Sequence, residues 1–204
     1  MSNPHVSRLK KNFPTYVYST IASSLKEHQG IGATILICCA IDTLASYAAS
    51  NPSTKNNKDK FLTFVSKYFP PDYDAKKLYK FVRCGLVHSF SMENEYIILC
   101  SEATWAQELH LSKPEGFDRI VINPYTLFRH LKKAHKQFVD DLEKNHNLRK
   151  EFSLIYKKRP ILKQHIRVPK ALKKVSILGS SNKELHSDRT GQPIESGVAN
   201  ESQS

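Results

Sequence analysis

The sequence predicts a mainly α-helical fold: a helical bundle with a small β-hairpin or meander inserted before the last long helix. Apolar side chains recur at helical spacing through most of the first 156 residues. One stretch, residues 31–49, is apolar on nearly every face, which is typical of a central helix covered by its neighbours. Two short segments rich in β-branched residues are the exception and predict strands.

The first half of the chain contains four predicted helices. Residues 13–28 carry Val17, Ile21 and Leu25 on one helical face, and the apolar helix over residues 31–49 follows. Two amphipathic helices come next, with stripes on Phe61, Phe64, Val65 and Tyr68, and on Leu78, Phe81, Val82, Gly85 and Ser89. Either Asp72 or Asp74 can cap the fourth helix.

The predicted β element lies between this helix and the next. Residues 96–100 and 119–122 are strand-like, and residues 108–111 form a possible third strand. Trp105 lies between them, and we expect it to pack against the hairpin.

A long helix then begins at Pro124, with Asn123 as its cap. Its expected core face is apolar at close to ideal spacing: Leu127, Phe128, Leu131, Ala134, His135, Phe138 and Leu142. Its outer face carries Arg129, Lys132, Lys133 and Lys136. A weaker helical pattern continues through Leu148, Phe152 and Ile155.

The positive charge is concentrated in the sequence C-terminal to the predicted domain. The net charge is +12, and residues 157–174 contain eight basic and no acidic side chains. We therefore predict a helical domain over residues 1–156 and a basic tract with a tail over residues 157–204, expected to be disordered from Gly179. Because two thirds of the net charge lies in this tract, the charge alone does not make the domain a nucleic-acid binder.

One motif in the sequence carries recognisable chemistry. Arg83 and His88 are separated by four residues on the fourth predicted helix, which gives the pattern R-x4-H. This motif, within the string LYKFVRCGLVHSF, resembles the HEPN superfamily (higher eukaryotes and prokaryotes nucleotide-binding domains) and its HEPN-like bacterial proteins. The resemblance covers roughly residues 15–155, and in those proteins a short β-hairpin and a long helix follow the motif helix.

The resemblance implies a homodimer whose motif helices meet in a shared cleft. Active members are endoribonucleases that need no metal and no cofactor, and they form a 2′,3′-cyclic phosphate and a 5′-hydroxyl. Carried over to this chain, His88 would be the general acid and base, because imidazole passes protons near neutral pH. Arg83 would stabilise the phosphate, since guanidinium offers a charged, bidentate fork. The alternative is a catalytically silent HEPN-like module for dimerisation and for binding nucleic acid or protein.

Three residues are candidates to support the motif: Asp42, Lys80 and Cys84. Asp42 is the only charge in the apolar helix, and a buried carboxylate needs a partner. It can pair with Arg83, orient His88, or lie exposed or bonded to a nearby hydroxyl. Cys84 stands where active family members often have a polar residue.

Two further positions, Gly85 within the motif and Phe90 just after it, bear on dimerisation and on control by nucleotidylation. Gly85 costs about 1 kcal/mol in a helix interior relative to Ala, which fits close approach by a partner helix. Phe90 stands where nucleotidylated HEPN toxins have the acceptor tyrosine, so that control mechanism is not expected here.

The remaining candidates are basic residues expected to contact nucleic acid: Lys132, Lys133, Lys136, Lys157, Lys158 and Arg159. The other histidines form no metal-ligand spacing, and the four cysteines do not resemble a disulfide framework. We expect a reduced, cytoplasmic protein that does not enter a membrane, because Asp42 interrupts the one long apolar segment. The resemblance extends to RNA as partner, a co-encoded antitoxin or defence partner, and a setting in phage defence or a toxin–antitoxin pair.

Overall fold

The structure is a computed structural model that describes residues 3–49 and 56–161. It confirms the mainly α-helical fold class. The α-helices and strands of the described residues are α1 (Pro4–Asn12), α2 (Ser19–Lys26), α3 (Gly30–Ala48), α4 (Asn57–Tyr68), α5 (Ala75–Lys77), α6 (Gly85–Ser89), β1 (Tyr96–Ile98), α7 (Thr104–Glu108), β2 (Ile120–Ile122), α8 (Pro124–Lys144) and α9 (His146–Lys158). Two π-helical segments, Phe13–Tyr18 and Leu78–Cys84, join α1 to α2 and α5 to α6.

The central position belongs to α3, as its composition predicts. It packs against α2, α4, α8 and α9. Ten of its residues are buried, among them Ile37, Ile41 and Leu44, which are fully enclosed. Thr34 is also buried, and its hydroxyl donates to the carbonyl oxygen of Gly30 at 2.7 Å. A helix that is apolar on nearly all faces is stable here because other helices cover most of its surface.

Of the described helices, α3 is also long and apolar enough to cross a membrane by length and composition. The most apolar 18 residues of α3 have a mean hydropathy of 1.7, and half of this stretch is buried within the protein. Core helices of many proteins pass the same test, so this property is weak evidence for a membrane segment.

Asn and Asp side chains begin most of the longer helices. Asn3, Asn56, Asn123 and Asn145 each accept a hydrogen bond from a backbone N–H in the first turn of the helix that follows. Each cap satisfies a donor that the helix itself leaves unpaired. Of the two candidate caps for the fourth predicted helix, Asp74 has that position and accepts from the N–H of Lys77 at 3.0 Å.

The first predicted helix begins earlier than its apolar pattern indicates and contains a π-helical segment. Pro14 lies in this segment and has no N–H to donate to the helical ladder. The N–H of Ser19 bonds to the carbonyl oxygen of Pro14, five residues earlier, which is the π-helical pattern. Proline thus interrupts the α-helical hydrogen bonds after α1, and regular α-helix returns as α2 after the wider π-helical turn.

The β element precedes the long helix as predicted, but its strands are not a hairpin. β1 and β2 pair in parallel, with Tyr96 opposite Ile120 and Ile98 opposite Ile122. Parallel strands need a crossover connection, and α7 lies in that connection. Trp105 lies on α7 and is 59% exposed, so its expected packing role is wrong. The possible third strand at residues 108–111 is the end of α7 and the turn after it.

The long helix α8 has the predicted faces. Its core-face residues are buried, and Arg129, Lys132, Lys133 and Lys136 are exposed. α9 continues through Lys158, beyond the expected boundary at residue 156. The rest of the basic tract and the tail, from residue 162, lie outside the described residues.

Candidate functional site

The R-x4-H motif spans two kinds of helix. Arg83 and Cys84 belong to the π-helical segment Leu78–Cys84, and His88 belongs to the five-residue helix α6. π-Helical turns are rare in proteins and are frequent at functional sites. The sequence spacing predicts one regular helix here and does not reveal this change of winding.

Arg83 pairs with Asp42 of the central helix. Nε of Arg83 donates to Oδ2 of Asp42 at 2.9 Å, and the two side chains are 19% and 25% exposed. The ion pairs Lys10–Glu143, Lys67–Asp141 and Lys77–Glu95 join more exposed side chains. Of the partners considered for Asp42, the structure therefore selects Arg83 and not His88.

Burial and pairing act in opposite directions on this ion pair. Burial raises the pKa of Asp42 above its ordinary value, and the hydrogen bond and charge of Arg83 only partly offset that rise. Burial lowers the pKa of Arg83, but the hydrogen bond and charge of Asp42 outweigh it and raise the pKa overall. The guanidinium thus stays charged and is held in place against α3.

The guanidinium of Arg83 is only partly used by the protein. Nη1 lies 3.8 Å from the Sγ of Cys84, and the guanidinium carbon is 5.4 Å from the centre of the Tyr79 ring. A guanidinium has five N–H donors. With one directed at Asp42 and one at Cys84, the others have no protein partner among the described residues and remain available for an anion.

His88 lies at the exposed end of the motif helix. Its imidazole makes no hydrogen bond with Arg83 or with any other side chain of the described residues. Val87 and Phe90 beside it are 38% and 73% exposed. Phe90 ends α6 with φ of 51°, a left-handed conformation that is uncommon for a bulky side chain. A histidine flanked by exposed apolar side chains is therefore presented on the surface.

Gly85 is required by the chain's own turn. A Cβ at this position would lie 2.1 Å from the carbonyl oxygen of Ser91. The N–H of Ser91 also donates to the carbonyl oxygen of Gly85 at 3.2 Å. Since the chain folds back onto α6 here, the glycine provides room for the turn after the helix; close approach of a partner helix at this position stays a prediction.

The remaining candidate residues do not join the Arg83–Asp42 pair. Lys80 is exposed, and its Nζ lies 4.3 Å from the centre of the Phe81 ring. The candidate nucleic-acid contacts are exposed on two elements: Lys132, Lys133 and Lys136 on α8, and Lys157, Lys158 and Arg159 at the end of α9. No hydrogen bond or ion pair connects the two groups within the described ranges.

Cysteines and metal-ligating side chains form no further centre in the part of the chain that the structure describes. Cys38, Cys39, Cys84 and Cys100 are all free thiols. No group of three or more His, Cys, Asp or Glu residues there has the arrangement of a metal site.

Sequence reasoning missed a cluster of Tyr73, His110 and His130. The Tyr73 hydroxyl lies 2.6 Å from Nε2 of His110 and 2.9 Å from Nδ1 of His130. These residues belong to three segments that no helical or strand period relates. The cluster exists because residues far apart in sequence meet at the start of α8.

We compared the chain with protein-family models, curated proteins and solved structures, and none matches.

Proposed function

We propose that this chain is a HEPN-like domain that acts as a metal-independent endoribonuclease, with Arg83 and His88 as its catalytic residues. The observation that carries the proposal is the form of the motif helix. Asp42 of α3 anchors the guanidinium of Arg83, which keeps unused donors, and the exposed His88 follows on α6, directly after the segment that carries Arg83. An endoribonuclease of this type needs a fixed cation for phosphate and an accessible proton carrier.

The chemistry is transesterification within RNA. The 2′-oxygen forms a bond to the adjacent phosphorus, and the bond from phosphorus to the 5′-oxygen breaks. His88 accepts the proton of the 2′-hydroxyl and donates a proton to the leaving 5′-oxygen, so that it ends the step as it began it. The free N–H groups of Arg83 stabilise the charge that develops on the phosphate oxygens. Asp42 is a positioning residue for Arg83.

A homodimer fits the surface around His88. The exposed side chains Val87 and Phe90 flank the histidine, and a second copy of the motif helix would cover them. In the dimer, His88 of one subunit and Arg83 of the other can serve one phosphate, which would explain why no contact joins the two within a subunit. The exposed lysines of α8 would supply an accessory contact to the RNA backbone.

The alternative is a catalytically silent HEPN-like module that dimerises and binds nucleic acid or protein. A specific observation favours it: Asp42 already compensates the charge of Arg83, and Cys84 follows that residue where active members often have a polar side chain. Both versions retain the proposed context of a cytoplasmic protein in phage defence or a toxin–antitoxin pair, with a co-encoded partner.

The deciding experiment incubates the full chain with RNA in the presence of EDTA. The enzyme hypothesis expects fragments with 2′,3′-cyclic phosphate ends from the wild type, and a loss of about a hundredfold or more in His88→Ala and Arg83→Gln. His146→Ala is the matched control, because His146 is an exposed histidine on α9, outside the motif. Its rate should stay within about twofold of the wild type.

Two outcomes contradict the enzyme hypothesis. Equal cleavage by the wild type and His88→Ala shows that His88 is not the proton carrier. No cleavage by a wild-type protein that is folded and dimeric supports the silent module instead. Circular dichroism and sedimentation of every variant separate loss of chemistry from loss of structure.

A further inference from the structure

The cluster of Tyr73, His110 and His130 borders a pocket of about 320 Å³ on the side of the start of α8. Asp72 and Arg129 also line this pocket. None of these residues contacts Arg83 or Asp42, so the pocket is separate from the motif and does not rest on the proposed function. Its size is at the lower end of small-molecule sites.

The donors and acceptors of the cluster follow one order, from Asn123 through His110 and Tyr73 to His130. The backbone N–H of Asn123 donates to Nδ1 of His110 at 2.9 Å, so His110 carries its proton on Nε2. That proton is donated to the oxygen of Tyr73, whose own hydroxyl then donates to Nδ1 of His130. His130 is left with its proton on Nε2. The tautomers of both histidines thus follow from one backbone amide.

Asn123 connects this chain of hydrogen bonds to the fold. It is fully buried and caps α8 through its side-chain oxygen. Its side-chain nitrogen donates to the carbonyl oxygens of Leu99, Ser101 and Ala106. Because these bonds hold Asn123 against α7 and the segment after β1, the amide that sets the tautomer of His110 is itself fixed in the fold.

His130 directs a free donor toward solvent. Among the described residues, its Nε2 has no hydrogen-bond partner and is not one of the fully buried unpartnered atoms. Arg129 is held beside it: Nη1 donates to Oε1 of Gln107 at 2.8 Å, and Nη2 lies 3.4 Å from Oγ1 of Thr126. The pocket is therefore lined by a histidine with a preset N–H and by an arginine whose guanidinium is held by two hydrogen bonds.

The charge around His130 is positive overall. Arg129 and Lys133 of α8 both disfavour a positive charge on its ring, and Asp72 opposes them from the other side. Burial is the largest cause of the low pKa of His130, about 4, and burial likewise lowers the pKa of His110 to about 3. Tyr73 and His110 face His130 as neutral groups.

We infer that this pocket binds a phosphate group, either free phosphate or the terminal group of a small phosphate monoester. Arg129 supplies charge and paired donors, and His130 donates its Nε2 proton to a second oxygen. An anion would also compensate a proton taken up by His130, so binding becomes tighter as the pH falls. The hydrogen bond from Tyr73 opposes that uptake, because its hydroxyl must turn away when Nδ1 becomes protonated.

The test is a titration of the full chain with inorganic phosphate, followed by amide chemical shifts in NMR. Shifts should concentrate on Gln107, His110, Arg129 and His130. Arg129→Gln should weaken binding about tenfold, the loss of one charged contact. Lys144→Gln is the matched control, since it removes the same charge from an exposed position of α8 outside the pocket, and it should stay within about twofold.

Ribose 5-phosphate in place of phosphate distinguishes the two sources. Tighter binding of the ester identifies a monoester as ligand, and equal binding identifies free phosphate; both support the site. Equal weakening by Arg129→Gln and Lys144→Gln overturns it in favour of a diffuse basic surface. Absence of shifts at a large excess of both ligands overturns it as well.

The proton linkage is tested with sulfate, whose charge stays constant over the range. From a pH of about 7.5 to about 5.5, sulfate affinity for the wild type should rise about threefold or more. His130→Gln keeps a hydrogen-bonding side chain and should show a clearly smaller rise. An equal rise in both proteins contradicts the assigned role of His130.

Discussion

The motif end of the molecule and the histidine pocket differ in how their histidines are exposed and hydrogen-bonded. At the motif, Arg83 is anchored by a charged partner and His88 is exposed without one. In the pocket, His110 and His130 are partly or largely buried, neutral and held by neutral partners in defined tautomers. One region keeps its histidine accessible, and the other keeps its histidines preorganised.

This difference shows which sites can be found by spacing. The motif is contained in one short segment, so its residues stand together in the sequence. The pocket is assembled from the loop before α5, the turn after α7 and the first turns of α8. His110 and His130, which no sequence spacing singles out, are therefore held by more hydrogen bonds than the motif residue His88.

The comparison is tested most strongly by Tyr73→Phe. Removing the hydroxyl leaves a donor on His110 and an acceptor on His130 unpaired, which should lower the free energy of unfolding by about 2–4 kcal/mol. Tyr125→Phe, which removes a single bond to the carbonyl oxygen of Leu25, should cost about 1 kcal/mol. His88→Ala should change stability by less than about 0.5 kcal/mol. Urea unfolding measures all three, and equal losses in Tyr73→Phe and His88→Ala contradict the comparison.

Acid should destabilise the protein through its buried histidines. Burial lowers the pKa of His110 to about 3 and that of His135, which is bonded to the Tyr18 hydroxyl, to about 4. The unfolded chain binds more protons between these values and 6.5, so stability is lost as the pH falls through that window. The loss should be on the order of 1 kcal/mol for each at a pH of about 5.5.

The measurement for this prediction is urea unfolding at the two ends of the window. His135→Gln should show a smaller difference between pH values than the wild type, whatever its absolute stability. Identical unfolding free energies of the wild type at neutral and acidic pH would show that these histidines are not held neutral.

Gly85→Ala should destabilise the motif end by about 1–2 kcal/mol, because the new methyl group meets the Ser91 carbonyl oxygen and outweighs the gain in helix propensity. Gly32→Ala in α3 is the control, since its Cβ would lie 3.4 Å from the Ser24 hydroxyl. It should be neutral or stabilise by up to about 1 kcal/mol. Thermal unfolding distinguishes the two, and a stabilised Gly85→Ala would show that the turn after α6 relaxes freely.

Asp42→Asn has the smallest expected effect. The amide can still accept from Nε of Arg83, but the charge pairing is lost, which should cost about 1 kcal/mol, between an exposed and a buried ion pair. Glu143→Gln removes one partner of the more exposed pair with Lys10 and should cost less than about 0.5 kcal/mol. Equal costs in urea unfolding would show that burial of the Arg83–Asp42 pair is unimportant.

Much of the helical architecture could be predicted from local pattern. The cap Asn123, the central helix and the two faces of α8 follow from periodicity and capping chemistry, which act within a few residues. Asp72 and Asp74 are alternative caps for the fourth predicted helix, and the structure selects Asp74. The hairpin prediction was wrong because strand direction depends on the connection, and the short helix α7 has little apolar pattern. The π-helical winding at Arg83 was also invisible, since it changes hydrogen bonds without changing residue types.

The sequence by itself determined the mainly helical class, the buried position of α3 and the presence of Arg83 and His88 on one helix. It also identified Asp42 as the one charge in the apolar helix, with a partner, an exposed position and a bond to a nearby hydroxyl as the alternatives, because an isolated carboxylate is costly when buried. Only the tertiary structure decided that the partner is Arg83, that His88 is exposed, and that Tyr73, His110 and His130 form one directed network. Such contacts depend on packing between distant segments, and residue spacing along the chain carries no record of them.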